Sequence, residues 1–179
     1  MAKKIIFFDR DGTIIDDKIY LNDVNQVEYL PDVFEALQLL KEHSYEFVIV
    51  TNQSGIPRGL VQEENLFKIH DKIAKDFKEK DIHFLGFYYA PYLVESGNPL
   101  RKPGTGMVEL AESEHGPFDY SSSWFVGDRM TDVECGHRMG MRTIFLHGSE
   151  DPKESDYKQP EIVSDNLLEA CKHLVKGLA

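Results

Sequence analysis

Five short apolar runs recur along this 179-residue chain: IIFF at 5–8, EFVIV at 46–50, FLGFYYA at 84–90, SWFV at 123–126 and RTIFL at 142–146. They are continuous rather than alternating, the pattern of strands buried on both faces, and parallel sheets covered by helices are where such strands occur. Helical spacing fills the intervals. Residues 31–43 place Val33, Phe34, Leu37 and Leu40 on one stripe with Pro31 at the first helical position, and 62–79 align Leu66, Ile69, Ile73 and Phe77. Further helices are predicted near 106–115, 131–139 and 166–176, and the polar, Pro-containing stretch 148–160 reads as a surface loop. The predicted class is α/β: a Rossmann-like, doubly wound parallel sheet with helices on both faces, as one domain over 1–179.

In such sheets ligands bind beyond the carboxyl ends of the strands. The polar clusters lie there: DRDGT follows the first run, TNQSG the second and GDRMTD the fourth, while RKP sits in the loop after the third. Asp9 and Asp11 are two apart on an extended segment that turns at Gly12, so one carboxylate can face a substrate with the other beside it. Asp128 and Asp132 add two more at a strand-to-helix junction. Oxygen ligands from Asp9, Asp128 and a backbone carbonyl suit Mg²⁺, and Thr51, Asn52 and Lys102 are natural donors to phosphate oxygens. Taken singly, each has a plainer explanation. Asp-rich turns are often solvated loops or caps, Lys102 could be a surface lysine, and Asp132 is an acid that an early helical turn favours. Four such clusters in order after successive strands favour a site.

The formal net charge of −11 disfavours long-range attraction to nucleic acid or an anionic membrane. A small phosphorylated ligand remains compatible, because Arg10, Arg58, Arg101, Lys102 and Arg129 all fall in the motif loops. No apolar run approaches the roughly 20 residues of a membrane span. Lys3 and Lys4 precede only IIFF, too little for a signal peptide, so a cytoplasmic location is expected. Cys135 and Cys171 are far apart and fit no zinc spacing, and free thiols are the expectation.

DRDGT, TNQ, RKP and GDRMTD resemble the four ordered motifs of the haloacid dehalogenase superfamily of phosphohydrolases, a likeness running from residue 5 to about 146. The resemblance implies a two-step mechanism in which Asp9 attacks phosphorus to give an aspartyl-phosphate that water then hydrolyses. It implies Asp11 as the acid that protonates the leaving oxygen and the base that later activates water. Thr51 and Lys102 would hold the phosphoryl group, and Asp9, the Asp11 carbonyl and Asp128 would bind Mg²⁺ with Asp132 orienting them. Arg10 would be a cation beside the acceptor site. The longer forms FFDRDGTI, TNQSGIPRG, RKPGTGM and VGDRMTD resemble the branch that holds D-glycero-D-manno-heptose 1,7-bisphosphate phosphatases and histidinol-phosphate phosphatases. On that likeness Gln53, Ser54, Arg58, Arg101 and Arg129 are candidates to hold the rest of the substrate, with Arg58 and Arg101 gripping a second phosphate. The competing account of Arg58 is an ordinary surface ion pair.

One stretch departs from that branch, which usually carries a zinc loop before RKP. Here it reads YYAPYLVESGNPLRKP, with Ala90, Tyr92, Asn98 and Leu100 where Cys and His ligands would stand, so no zinc is expected and apolar packing is the expected substitute. About forty residues separate the first two motifs and about fifty separate Thr51 from Lys102, leaving no room for a large cap. The site should be open, roofed by loops such as 16–30 and 91–100. A small phosphorylated metabolite is the expected partner, a monomer the expected state. Two readings from other classes compete: a receiver-like signalling domain, which would need an aspartate at the end of FLGFYYAP, and a non-catalytic phosphate-binding module, which would lack a catalytic side chain. Neither condition is met.

Overall fold

A computed structural model describes residues 1–148 and 150–178. Six strands form one parallel sheet: β1 (Lys4–Phe8), β2 (Tyr45–Asn52), β3 (Phe84–Ala90), β4 (Trp124–Gly127), β5 (Arg142–Leu146) and β6 (Ile162–Ser164). Among the described residues four α-helices connect successive strands from β1 to β5, namely α1 (Val33–Glu42), α2 (Glu63–Lys78), α3 (Gly106–His115) and α4 (Met130–Arg138), and α5 (Leu167–Lys176) follows β6. The strand order is β3-β2-β1-β4-β5-β6. The chain winds outward from β1 to β3, then returns to the other side of β1 and winds outward again. The order therefore reverses between β1 and β4, the place where a crevice opens in this type of sheet.

The continuous apolar strands are explained by the two faces. Ile6 and Phe8 join Phe47, Ile49, Trp124 and Val126 in a core closed by α1, α2 and α5. Ile5 and Phe7 point the other way, packing with Val48, Val50 and Phe125 under α3 and α4. Because side chains alternate along a strand, both alternate sets must be apolar when both faces are covered.

Three expectations need correction. Helix α1 begins at Val33 rather than at Pro31: Asp32 takes a left-handed conformation (φ 62°), and Leu30 N–H is tied to Ile14 O at 3.0 Å, which fixes the approach of the chain. Ala36 is fully buried on the α1 stripe, whereas Phe34 is only half-buried. Strand β6 had no apolar run to announce it. It is three residues long with Val163 exposed, and pairs with Ile144, Phe145 and Leu146 of β5.

Candidate active site

Strand register brings the motif residues together. Phe8 pairs with Val126 across β1 and β4, and Asp9 N–H continues the ladder to Val126 O at 2.9 Å. Asp9 and Asp128 thus leave neighbouring strands at the point of reversal. Gly12 turns the chain with φ +79°, and a Cβ there would overlap the Asp128 carboxylate, so only glycine allows this approach.

Lys102 enters from the loop after β3 and is buried. Its ammonium group donates to Asp9 Oδ1 at 2.8 Å and to Val50 O at 2.9 Å, and lies 2.7 Å from Asp132 Oδ1. These three partners match the three protons of an ammonium. Burial opposes its charge, but Asp132 and Asp9 together hold its pKa above the ordinary lysine value. Asp132 does double duty, since its other oxygen accepts from Arg129 N–H at 3.2 Å and caps α4.

One oxygen from each of Asp9, Asp128 and Asp132 lies within 4.8 Å of the others. Burial pushes Asp9 up, with Lys102 lowering it and Asp132 raising it. Burial followed by the charges of Asp9 and Asp132 pushes Asp128 up to about 9. Asp128 Oδ1 is buried with no hydrogen-bond partner among the described residues. Three carboxylates offset by one ammonium, with an unpartnered oxygen, fit a hard divalent cation.

Asp11 is held from two sides. Arg10 Nε donates to Oδ1 at 3.1 Å and Arg10 Nη2 to Oδ2 at 3.0 Å, while Gln53 Nε2 donates to Oδ2 at 3.0 Å. Burial raises the Asp11 pKa in spite of the Arg10 guanidinium, with Asp9 adding to the rise. Arg10 is wholly buried and engaged with Asp11, so it is not a free cation at the acceptor side.

A cavity of about 580 Å³ opens over this floor, lined by Asp9, Asp11, Asn52, Gln53, Ser54, Arg101, Lys102, Arg129 and Asp132 among others. Thr51 is buried and outside this lining, its Oγ1 accepting from the lining residue Gln53 through Nε2 at 2.8 Å. The Asn52 amide is committed elsewhere: Nδ2 donates to Lys102 O at 3.1 Å and Oδ1 accepts from Lys102 N–H at 2.9 Å, which places it as a brace for the lysine. Arg101 lines the wall and donates to Tyr92 O at 2.9 Å. Arg58 is exposed and outside the lining, so the pair of arginines on the wall is Arg101 and Arg129 rather than Arg101 and Arg58. Arg129 also meets Glu150 at 3.4 Å.

Asp17, Ile19 and Tyr20 from the 16–30 loop, Val94 from the 91–100 loop, and Glu150 complete the rim. None of these residues was singled out by sequence. Ile19 (φ 50°) and Tyr20 (φ 61°) take left-handed conformations that their side chains ordinarily avoid, so no residue preference signals the turn. The 91–100 loop is held by Tyr92 and Leu100 packing on the α3 side of the core and by Asn98 Oδ1 accepting from Leu100 N–H at 2.9 Å.

The family model for polynucleotide kinase 3 phosphatase matches residues 4–163. The chain belongs to this family. It is a phosphatase of the haloacid dehalogenase superfamily, in the branch the motifs indicated. A D-glycero-alpha-D-manno-heptose-1,7-bisphosphate 7-phosphatase of Campylobacter jejuni is 36% identical over 88% of this chain and 89% of its own. The histidine biosynthesis bifunctional protein HisB of Bacteroides fragilis is 34% identical over 84% of this chain, which spans 41% of that protein. The crystal structure of a D,D-heptose 1,7-bisphosphate phosphatase from B. bronchiseptica complexed with magnesium and phosphate superimposes with a TM-score of 0.86 at 24% identity, covering 97% of this chain and 99% of that one. That likeness shows the fold.

Proposed function

We propose that this phosphatase removes the 7-phosphate of D-glycero-D-manno-heptose 1,7-bisphosphate through an aspartyl-phosphate. The observation that carries the chemistry is the Lys102 ammonium held between Asp9 and Asp132, beside Asp128. It opposes the effect of burial and favours the ionised, nucleophilic form of Asp9. In the first step an Asp9 oxygen forms a bond to phosphorus as the bond to the sugar oxygen breaks, and the Asp11 proton passes to that oxygen. In the second, Asp11 takes a proton from water, the resulting hydroxide attacks phosphorus, and the Asp9–phosphorus bond breaks to release inorganic phosphate. The raised pKa of Asp11 suits a group that must begin protonated. Lys102, which lines the cavity, and the Thr51 hydroxyl would hold the phosphoryl group, with Ser54 on the cavity wall.

Asp9, Asp128 and the Asp11 carbonyl would hold Mg²⁺, with Asp132 anchoring the cluster through Lys102. When bound, Mg²⁺ offsets the repulsion between these carboxylates and a phosphate dianion. A second phosphate would meet Arg101 and Arg129 on the cavity wall, with Arg58 contributing charge from outside. Relatives named for the heptose bisphosphate match over most of their own length, 89% and 96%, whereas HisB matches over 41% of its own, which supports this substrate over histidinol phosphate.

The test compares kcat/KM for heptose 1,7-bisphosphate and histidinol phosphate, with Mg²⁺ and with EDTA. A Mg²⁺-dependent preference for the bisphosphate of about a hundredfold, close to 3 kcal/mol, is expected. The reverse preference would reassign the substrate, and no turnover of either would leave the phosphate-binding reading.

A further inference from the structure

A buried histidine stands behind the acid. His70, on α2, is 6% exposed, and its Nε2 lies 3.2 Å from Arg10 Nη1. Arg10 has only donors to offer, so Nε2 is the acceptor and the ring carries its proton on Nδ1. Burial, then the Arg10 charge, lowers the His70 pKa to about 3, so the ring is a neutral acceptor throughout the working range. The ring also lies against Phe87 of β3, with centroids 5.0 Å apart, which restricts its rotation.

The arrangement is a line of three groups. Arg10 is fully buried and its side chain spans from His70 to Asp11, with Nη1 on the histidine and Nε and Nη2 on the two carboxylate oxygens. A guanidinium is planar, so fixing Nη1 fixes the plane in which Nε and Nη2 meet Asp11. Arg10 and Asp11 sit in a turn beyond β1, whereas His70 sits on a sixteen-residue helix packed against the core. The helix thus supplies the rigid reference for a side chain in a loop. Nothing in the reaction requires a histidine here, and its burial beside a cation costs free energy unless the hydrogen bond is used.

We propose that His70 is a positioning residue that, through Arg10, aims the Asp11 carboxyl at the leaving oxygen. The proposal rests on Asp11 being the acid. A well-aimed acid matters most when the leaving group is basic, and little when the leaving group departs without a proton. The experiment therefore measures kcat/KM with Mg²⁺ for phenyl phosphate and for 2,4-dinitrophenyl phosphate in the wild-type protein, H70F, H70Q and D11N. H70F keeps a ring against Phe87 and removes the acceptor; H70Q returns an acceptor at a similar reach.

The expected result is a loss of about tenfold or more on phenyl phosphate in H70F, a part of the roughly 10²–10⁴-fold that general acid catalysis supplies. The dinitrophenyl ester should lose less than about twofold, and H70Q should recover most of the phenyl phosphate rate, the transition-state difference being read from the ratio of kcat/KM values. If H70F does not fold, H70L, smaller and a good helix former, is read in the same way. Equal losses on both esters, no loss, or a selective loss that H70Q shares would overturn the proposal. D11N separates the two ideas: if it shows no selectivity between the esters, the assignment of the acid has failed and the role of His70 falls with it, whereas selectivity in D11N without selectivity in H70F overturns the role of His70 alone.

Discussion

Lys102 is the residue on which the charges of the site converge. It donates to one carboxylate oxygen of Asp9 and contacts one of Asp132, and all three are nearly inaccessible to water. Removing one partner of a buried ion pair is far costlier than removing an exposed one, because the charge left behind has lost its hydration. Lys102→Met keeps the stem and removes the ammonium. Its expected cost is about 3–5 kcal/mol in chemical denaturation, together with loss of turnover. A cost below about 1 kcal/mol would show that Asp9 and Asp132 are neutralised by some other route. Sequence spacing could place Lys102 in the site because RKP is an ordered motif. It could not show that Asn52 braces the Lys102 backbone or that Arg10 turns inward to Asp11, since both depend on which donors are already satisfied in three dimensions.

At the scale of elements, five strands and five helices were legible because each carries an apolar pattern of its own. β6 was not, and its reason is physical. Three residues at a sheet edge bury too little to need an apolar run, so the strand is held by what surrounds it. Glu161, just before it, accepts from Thr143 N–H at 2.7 Å and from Thr143 Oγ1 at 2.9 Å, and its carboxylate lies 3.0 Å from His137 Nε2. One carboxylate thereby ties the start of β6 to β5 and α4. Glu161→Ala leaves the buried Thr143 groups without that acceptor, and a cost of about 1–3 kcal/mol is expected. Amide exchange should quicken at Ile162–Ser164 while the β1 amides keep their protection, as local opening of a sheet edge requires. Equal acceleration in β1 and β6 would mean that the change acts on the whole fold.

Across the molecule, an acidic protein concentrates three buried carboxylates at the reversal point of its sheet, and that placement links stability to both pH and cation. In the metal-free protein, burial and the charges of Asp9 and Asp132 raise Asp128 to about 9, against an ordinary value near 4. Between those limits the folded state retains a proton that the unfolded chain has released. Stability from this group is therefore full below about pH 4 and falls as pH rises toward 9, at no more than about 1.4 kcal/mol per pH unit. Because Asp128 shares its charge with two neighbours, the realised slope lies below that ceiling. A divalent cation held by this cluster would act in place of the proton, favouring the ionised carboxylates and adding stability to the folded state that grows with its concentration. Thermal unfolding with EDTA should thus show a lower Tm at about pH 8.5 than at about pH 6, and Mg²⁺ should raise Tm more at the higher pH. Asp128→Asn should flatten the EDTA profile and shrink the Mg²⁺ effect together, because one carboxylate accounts for both. If Mg²⁺ raised Tm equally at both pH values, or if Asp128→Asn changed only one of the two responses, the cation and the proton would not be competing for this cluster.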